Sequence, residues 1–325
     1  MKRTAALLLC LSLLFFGLGP LFGRMGSHWK ITRTRPQIAY KYVKNDDKTP
    51  TLLIVHGGPG DNSAYLMGPM AKELQSQYNV IWYDQRGTGK SERNLSPENY
   101  AAIYHAEDIG RVLDAAGVSQ AILVAHSWGG IPAGIFASRY PEKVKAYINI
   151  CATGSFLDTN SGLIRSLKNY YRKDPSKLSK IKDIEEMSHG FFRFISTMKL
   201  AREAGLYYMD YKKTKAETDE YLREAVISGE YSTEEIQESE NALYLPMEFH
   251  SLDTTEIYSI LNKITAPTLL IGGKYDRVVD IESMKRYGRG IKGSKLIVFD
   301  NSGHHPFQEE PDRFFKTIDD FIGNL

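Results

Sequence analysis

Seven short apolar runs recur along this chain, separated by segments with helical patterning, and that alternation limits the folds open to it. The runs are Gln37-Val43, Leu52-His56, Val80-Asp84, Ala121-Ala125, Ala146-Cys151, Thr268-Gly272 and Lys295-Phe299. Several are apolar on both faces, as strands covered from two sides must be. Tyr65-Ser76, Asn99-Ala116, Ile131-Arg139 and Asp312-Ile322 carry helical periodicity between them. The order predicts an α/β fold with a mostly parallel, doubly wound sheet. The rhythm stops between about Ser155 and Asn262, where Ile164-Arg172, Ile184-Met198 and Lys215-Ser228 read as amphipathic helices. A helical cap inserted there is expected over the carboxyl edge of the sheet, where such folds place ligands.

Within this frame, Ala125-His126-Ser127-Trp128-Gly129-Gly130 follows the run Ala121-Ile122-Leu123-Val124 and precedes a helix. A serine between small residues at a strand-to-helix turn is a nucleophile elbow, here with Ala125 in place of the first glycine of G-x-S-x-G. Such a turn lifts the hydroxyl clear of the sheet, beside a helix N-terminus. A serine nucleophile needs a base, and the base needs an orienting carboxylate. In this type of fold the chain order is Ser, then acid, then His. Asp276, just past Thr268-Gly272, is the acid; Asp280 is the alternative, with a helix N-cap as its ordinary reading. His304, past Lys295-Phe299, is the base; its neighbour His305 stays open on chemistry alone. The two oxyanion donors are expected to be the N–H groups of Trp128 and Gly58, the latter in His56-Gly57-Gly58-Pro59-Gly60. His126 reads as packing or loop support.

Taken together, His56-Gly57-Gly58-Pro59-Gly60, Asp84-Gln85-Arg86-Gly87-Thr88-Gly89-Lys90-Ser91, Ser127-Trp128-Gly129-Gly130 and Gly303-His304 resemble the α/β-hydrolase superfamily. The first two motifs look like its proline iminopeptidase branch of serine aminopeptidases. The resemblance covers roughly 36–152 and 263–325. It implies a serine hydrolase working through an acyl-enzyme, most simply an aminopeptidase releasing the first residue of short peptides. A carboxylic-ester or lactone hydrolase with the same three residues is the alternative. It also implies a cap carboxylate that receives the substrate's α-amino group. Pro246-Met247-Glu248-Phe249 resembles the segment that supplies one, which selects Glu248, with Glu203 and Glu224 as seconds that no motif supports. The rest of the cap departs from the branch's pattern. Asp84 and Arg86 are expected to brace loops around the site.

Bulk properties limit the alternatives. The 325 residues carry a formal net charge of +2, which implies no strong field for nucleic acid. Cys10 and Cys151 are too few for a disulfide framework, and no metal-type spacing or phosphate loop is visible, so neither metal nor cofactor is expected. Lys2 and Arg3 precede an uncharged stretch, Ala5 to Gly23, which reads as a signal peptide or an uncleaved membrane anchor. The division is therefore 1–23 leader or anchor, 36–154 and 263–325 core, and 155–262 cap. An extracytoplasmic location, secreted or anchored, follows as an expectation; the partners expected are a small peptide or ester and the membrane at that leader. Oligomeric state leaves no trace in the sequence.

Overall fold

A computed structural model describes residues 28–152, 154, 156–188, 191–206, 211–237, 239, 242 and 255–325. The leader or anchor assigned to residues 1–23 lies outside them, as does Glu248. Among the described residues no helix is long and apolar enough to cross a membrane.

Eight strands form one sheet: β1 (Lys30–Ile31), β2 (Ala39–Val43), β3 (Thr51–Val55), β4 (Asn79–Tyr83), β5 (Ala121–His126), β6 (Val144–Ile150), β7 (Thr268–Gly273) and β8 (Lys295–Phe299), in the order β1-β2-β4-β3-β5-β6-β7-β8. The first two pairings are antiparallel and the remainder parallel. The strand period of two divides each apolar run between two layers. Leu53 and Val55 join one core with Ile109, Val112 and Leu113 of α2 (Ala102–Ala116) and Ile131 and Phe136 of α3 (Gly130–Arg139). Leu52 and Ile54 join another with Leu66, Met67 and Met70 of α1 (Ala64–Gln77) and with Phe314 and Ile318 of the C-terminal helix Pro311–Ile322. Every residue of β4 and β5 is buried, as the two-sided cover requires.

Between β6 and β7 no strand occurs among the described residues; the α-helices there are α4 (Phe156–Tyr170), α5 (Pro175–Glu186), α6 (Phe191–Glu203), α7 (Tyr211–Ile227) and α8 (Thr255–Ile260). The expected single helix over 184–198 is interrupted. After Glu186 the backbone of Met187 turns extended (ψ 144°), and Ser188-His189-Gly190, poor interior helix formers, follow in sequence. Two further helices, α9 (Ile281–Arg289) and α10 (Pro306–Glu309), precede α11 (Pro311–Ile322).

The segment after α7 returns to the core through polar contacts. Lys41, buried on β2, pairs with Glu230 at 2.8 Å, and Trp29 packs edge-on against Tyr231. The buried Tyr231 hydroxyl donates to Asp84 at 3.0 Å. The Ser239 amide donates to the Gly60 carbonyl at 2.9 Å.

The expected bracing by Asp84 and Arg86 takes a definite form. Asp84 accepts from the Ser63 amide (2.8 Å) and hydroxyl (2.9 Å) and from the Lys90 amide (2.9 Å), tying the start of α1 to the loop after β4. Arg86 grips Asp108 of α2 with two bonds, at 2.7 and 2.8 Å, both side chains almost fully buried. Asp108→Asn strands a buried guanidinium without its carboxylate and is expected to cost about 3–5 kcal/mol in urea unfolding. Lys316→Ala, which breaks the exposed pair with Asp320, is expected to cost less than about 1 kcal/mol by the same measurement.

Candidate active site

The turn from β5 into α3 is set by close packing. Gly129 lies against the end of β3 so tightly that a Cβ there would meet the Val55 and His56 carbonyl oxygens at 2.5 Å. Side-chain atoms are excluded, and the chain must reverse within one residue. That residue is Ser127, whose φ of +54° is in the left-handed region that non-glycine residues rarely occupy. Ala125, in the place of the expected glycine, is fully buried in the sheet core without disturbing the β3–β5 register, which runs through Val55↔Ala125.

Three residues distant in sequence meet at this turn. Ser127 Oγ is 2.9 Å from His304 Nε2, and His304 Nδ1 is 2.8 Å from Asp276 Oδ2. The other Asp276 oxygen accepts from the Val278 and Val279 amides at 2.8 and 2.9 Å, which fixes the carboxylate's orientation. A carboxylate facing Nδ1 requires the proton there. Nε2 is then an acceptor for the serine hydroxyl. The alternatives separate cleanly. Asp280 caps α9 through the Ser283 amide (2.8 Å) and pairs with Arg165. His305 Nδ1 turns to Gln308 Oε1 at 2.8 Å.

In the glycine loop after β3, the Gly57 amide donates to the Tyr65 hydroxyl at 2.7 Å and Pro59 has no N–H. Gly58, at φ +115°, is left with an amide that bonds to nothing among the described residues. The Trp128 amide, second in the turn that opens α3, has no preceding carbonyl in helical register. Gln85 braces both sides. Its amide N–H donates to His56 Nε2 (3.0 Å), its side chain donates to the His56 carbonyl (2.6 Å), and its Oε1 faces His105 Nδ1 (2.9 Å). The His105 ring in turn lies edge-on to Trp128, with centroids 4.8 Å apart.

Cys151, at φ +48° past β6, lies beside Asp276 and His304 and donates to the Gly303 carbonyl at 3.7 Å. Its Sγ and ligand atoms of Asp276 and His304 fall within 4.8 Å of one another. Burial, then the Asp276 carboxylate, pushes the thiol's pKa well up. A protonated thiol beside a carboxylate and imidazole already bonded to each other is a hydrogen-bonded cluster, not a ready set of metal ligands. Of the cap carboxylates, Glu203 pairs with Lys177 at 3.3 Å on the surface. Glu224, on α7, keeps a buried Oε2 with no hydrogen-bond partner among the described residues.

Four histidines around the site are buried and held neutral. Burial lowers His56 to about 4. Burial, helped by His304, lowers His305 to about 3. Burial also drives His105 and His126 well below the ordinary value. In the unfolded chain these imidazoles titrate near 6.5, so between pH ~6.5 and ~4 the unfolded state binds more protons and stability falls as pH drops. The His56 shift, from 6.5 to about 4, alone corresponds to about 3 kcal/mol. Urea midpoints at pH of about 7.5, 6 and 4.5 are expected to decline with a slope steeper than one proton. A flat profile over that range contradicts the neutral burial of these rings.

Comparison with known proteins agrees with this architecture. The family model described as alpha/beta hydrolase fold matches residues 50–311. The chain is 28% identical over 289 residues to a proline iminopeptidase of Saccharolobus solfataricus, covering 89% of each chain. It is 24% identical over 310 residues to epoxide hydrolase 4 of Homo sapiens, covering 92% of this chain and 79% of that one. The crystal structure of a proline iminopeptidase from Mycobacterium smegmatis superposes with a TM-score of 0.70 at 17% identity, over 91% of this chain and 98% of the other. With the eight-stranded sheet, the elbow at its carboxyl edge and the inserted helices, these matches make the chain a hydrolase belonging to the alpha/beta hydrolase fold family.

Proposed function

We propose that the protein is a serine hydrolase acting through an acyl-enzyme. The observation that carries this reading is the linear Ser127–His304–Asp276 arrangement, with spacings of 2.9 and 2.8 Å, at the left-handed turn before α3. His304 Nε2 takes the Ser127 proton as Oγ attacks a carbonyl carbon, while Asp276 stabilises the imidazolium. The free amides of Gly58 and Trp128 receive the oxyanion. His304 then protonates the leaving group, and water, deprotonated by the same nitrogen, releases the acid.

The substrate we favour is a short peptide with a free N-terminus, proline first being the simplest case. The motif resemblance and the relatives named proline iminopeptidase support it. Glu248 is the residue proposed to receive the α-amino group. An epoxide is disfavoured on chemical grounds: a serine oxygen opening an epoxide leaves an ether, which water does not cleave as it cleaves an acyl ester. A carboxylic-ester or lactone substrate is served by the same three residues. The uncharged run Ala5 to Gly23 after Lys2 and Arg3 supports export or anchoring.

Ser127→Ala is expected to lower turnover by a factor on the order of 10⁴ or more and to abolish labelling by a fluorophosphonate. Prolyl-naphthylamide and p-nitrophenyl esters, assayed side by side, separate the substrate classes. Glu248→Gln is expected to raise KM for the naphthylamide at least ~10-fold while leaving ester turnover within about twofold. Ester turnover equal in both proteins, with no naphthylamide cleavage by either, overturns the peptidase reading and leaves the hydrolase.

A further inference from the structure

Behind the reacting atoms, one buried hydrogen-bond chain links three of the loops that the mechanism needs. The Gly57 amide donates to the Tyr65 hydroxyl at 2.7 Å. That hydroxyl is 2.8 Å from His126 Nδ1, and His126 Nε2 is 2.9 Å from the His304 backbone carbonyl. Gly57 adjoins the proposed oxyanion donor, His126 adjoins the nucleophile, and His304 is the base. The links span sequence separations of 8, 61 and 178 residues.

The direction of every bond in the chain is determined. A carbonyl only accepts, so His126 Nε2 must carry a proton. The ring is buried and held neutral, first by burial and then by the His304 and His305 imidazoles. A neutral imidazole has one N–H, so Nδ1 is bare and must accept. The Tyr65 proton is therefore committed to His126, and the Tyr65 oxygen accepts from the Gly57 amide. His126 cannot serve as the base for Ser127, because one ring nitrogen holds Tyr65 and the other holds the base's own backbone.

We propose that Tyr65 and His126 are positioning residues, a polar relay that holds the oxyanion loop, the elbow and the His304 loop in mutual register. The inference rests on the serine-hydrolase reading above and is independent of whether the substrate is a peptide or an ester. Apolar packing alone would leave these loops free to slide by tenths of an ångström. A directional chain with one solution for its protons does not. Losing the Tyr65 hydroxyl leaves two buried polar atoms unpaired, Gly57 N–H and His126 Nδ1, and releases the glycine loop from the elbow.

The test compares wild type, Tyr65→Phe, His126→Gln and His126→Leu in two assays: the rate of Ser127 labelling by a fluorophosphonate, which needs nucleophile, base and oxyanion hole but no particular substrate, and steady-state turnover. Tyr65→Phe is expected to slow labelling and kcat roughly 10- to 100-fold with KM within about threefold, since misplacement by an ångström or less has that effect. Glutamine offers both an N–H donor and a carbonyl acceptor, so His126→Gln is expected to recover at least ~10-fold over His126→Leu. Nitrogen-15 spectra of His126 are expected to show Nε2 protonated and Nδ1 bare in wild type, and a shifted tautomer balance in Tyr65→Phe; this reading stands even where His126→Leu fails to fold. Labelling of Tyr65→Phe within twofold of wild type, or a wild-type His126 protonated at Nδ1, overturns the relay alone. A wild type that is not labelled overturns the serine-hydrolase reading and the relay's catalytic role with it.

Discussion

The site depends on the contact between Gly129 and the end of β3. Two carbonyl oxygens, of Val55 and His56, occupy the space a side chain at 129 would need. The start of α3 is thereby pressed against the sheet, and the reversal is concentrated at Ser127, with its φ of +54°. A left-handed serine is unfavourable in isolation and persists because its surroundings over-determine it. Strands β3 and β5 are neighbours in register, so the same contact brings the glycine loop after β3 beside Ser127. Geometry that looks catalytic is here a consequence of how two adjacent parallel strands end.

The polar groups behind that edge divide the labour. Asp276 is oriented by two amides of its own loop and in turn orients His304. Gln85 secures His56 directly and reaches Trp128 through the His105 ring. Asp84 and Arg86, two residues apart in one loop, anchor α1 and α2 on opposite faces of the sheet. The side chains of the loop after β4 thus hold the glycine loop, Trp128 and two helices.

Much of this was legible in the sequence, and what was not has physical causes. The central strands were readable because burial on two faces demands unbroken apolar runs. The two-residue β1 was not, because its Ile31 is half-exposed and its place comes from pairing with β2. That Ser127, Asp276 and His304 would meet at one sheet edge was readable because strand ends in a fixed order present them. Tyr65 escaped notice: on the apolar face of a helix a tyrosine looks like core, and its partners lie across distant loops. Asp280 was correctly read as a cap, since Asp before Ile281-Glu282-Ser283-Met284 supplies an acceptor where helix amides are unpaired. The break after Glu186 was missed because amphipathic periodicity runs on through Ile184-Met198 in the sequence, while the backbone of Met187 turns extended. Cap carboxylates show the limit of pattern reading. Glu203 and Glu224 are alike in sequence, but one is spent on a surface lysine and the other keeps a buried oxygen.

The return segment after α7 has a consequence for how such an enzyme can change. Tyr231 bonds to Asp84, and the amide of Ser239 bonds to Gly60, two residues from the donor proposed to receive the oxyanion. The part of the chain that would choose a substrate is thus bolted to the part that would accelerate its cleavage. Grafting a foreign insertion between β6 and β7 would exchange those bolts along with the pocket walls. Lineages built on this scaffold should therefore acquire new selectivity at some expense in speed, until the replacement segment evolves its own grip on the glycine loop.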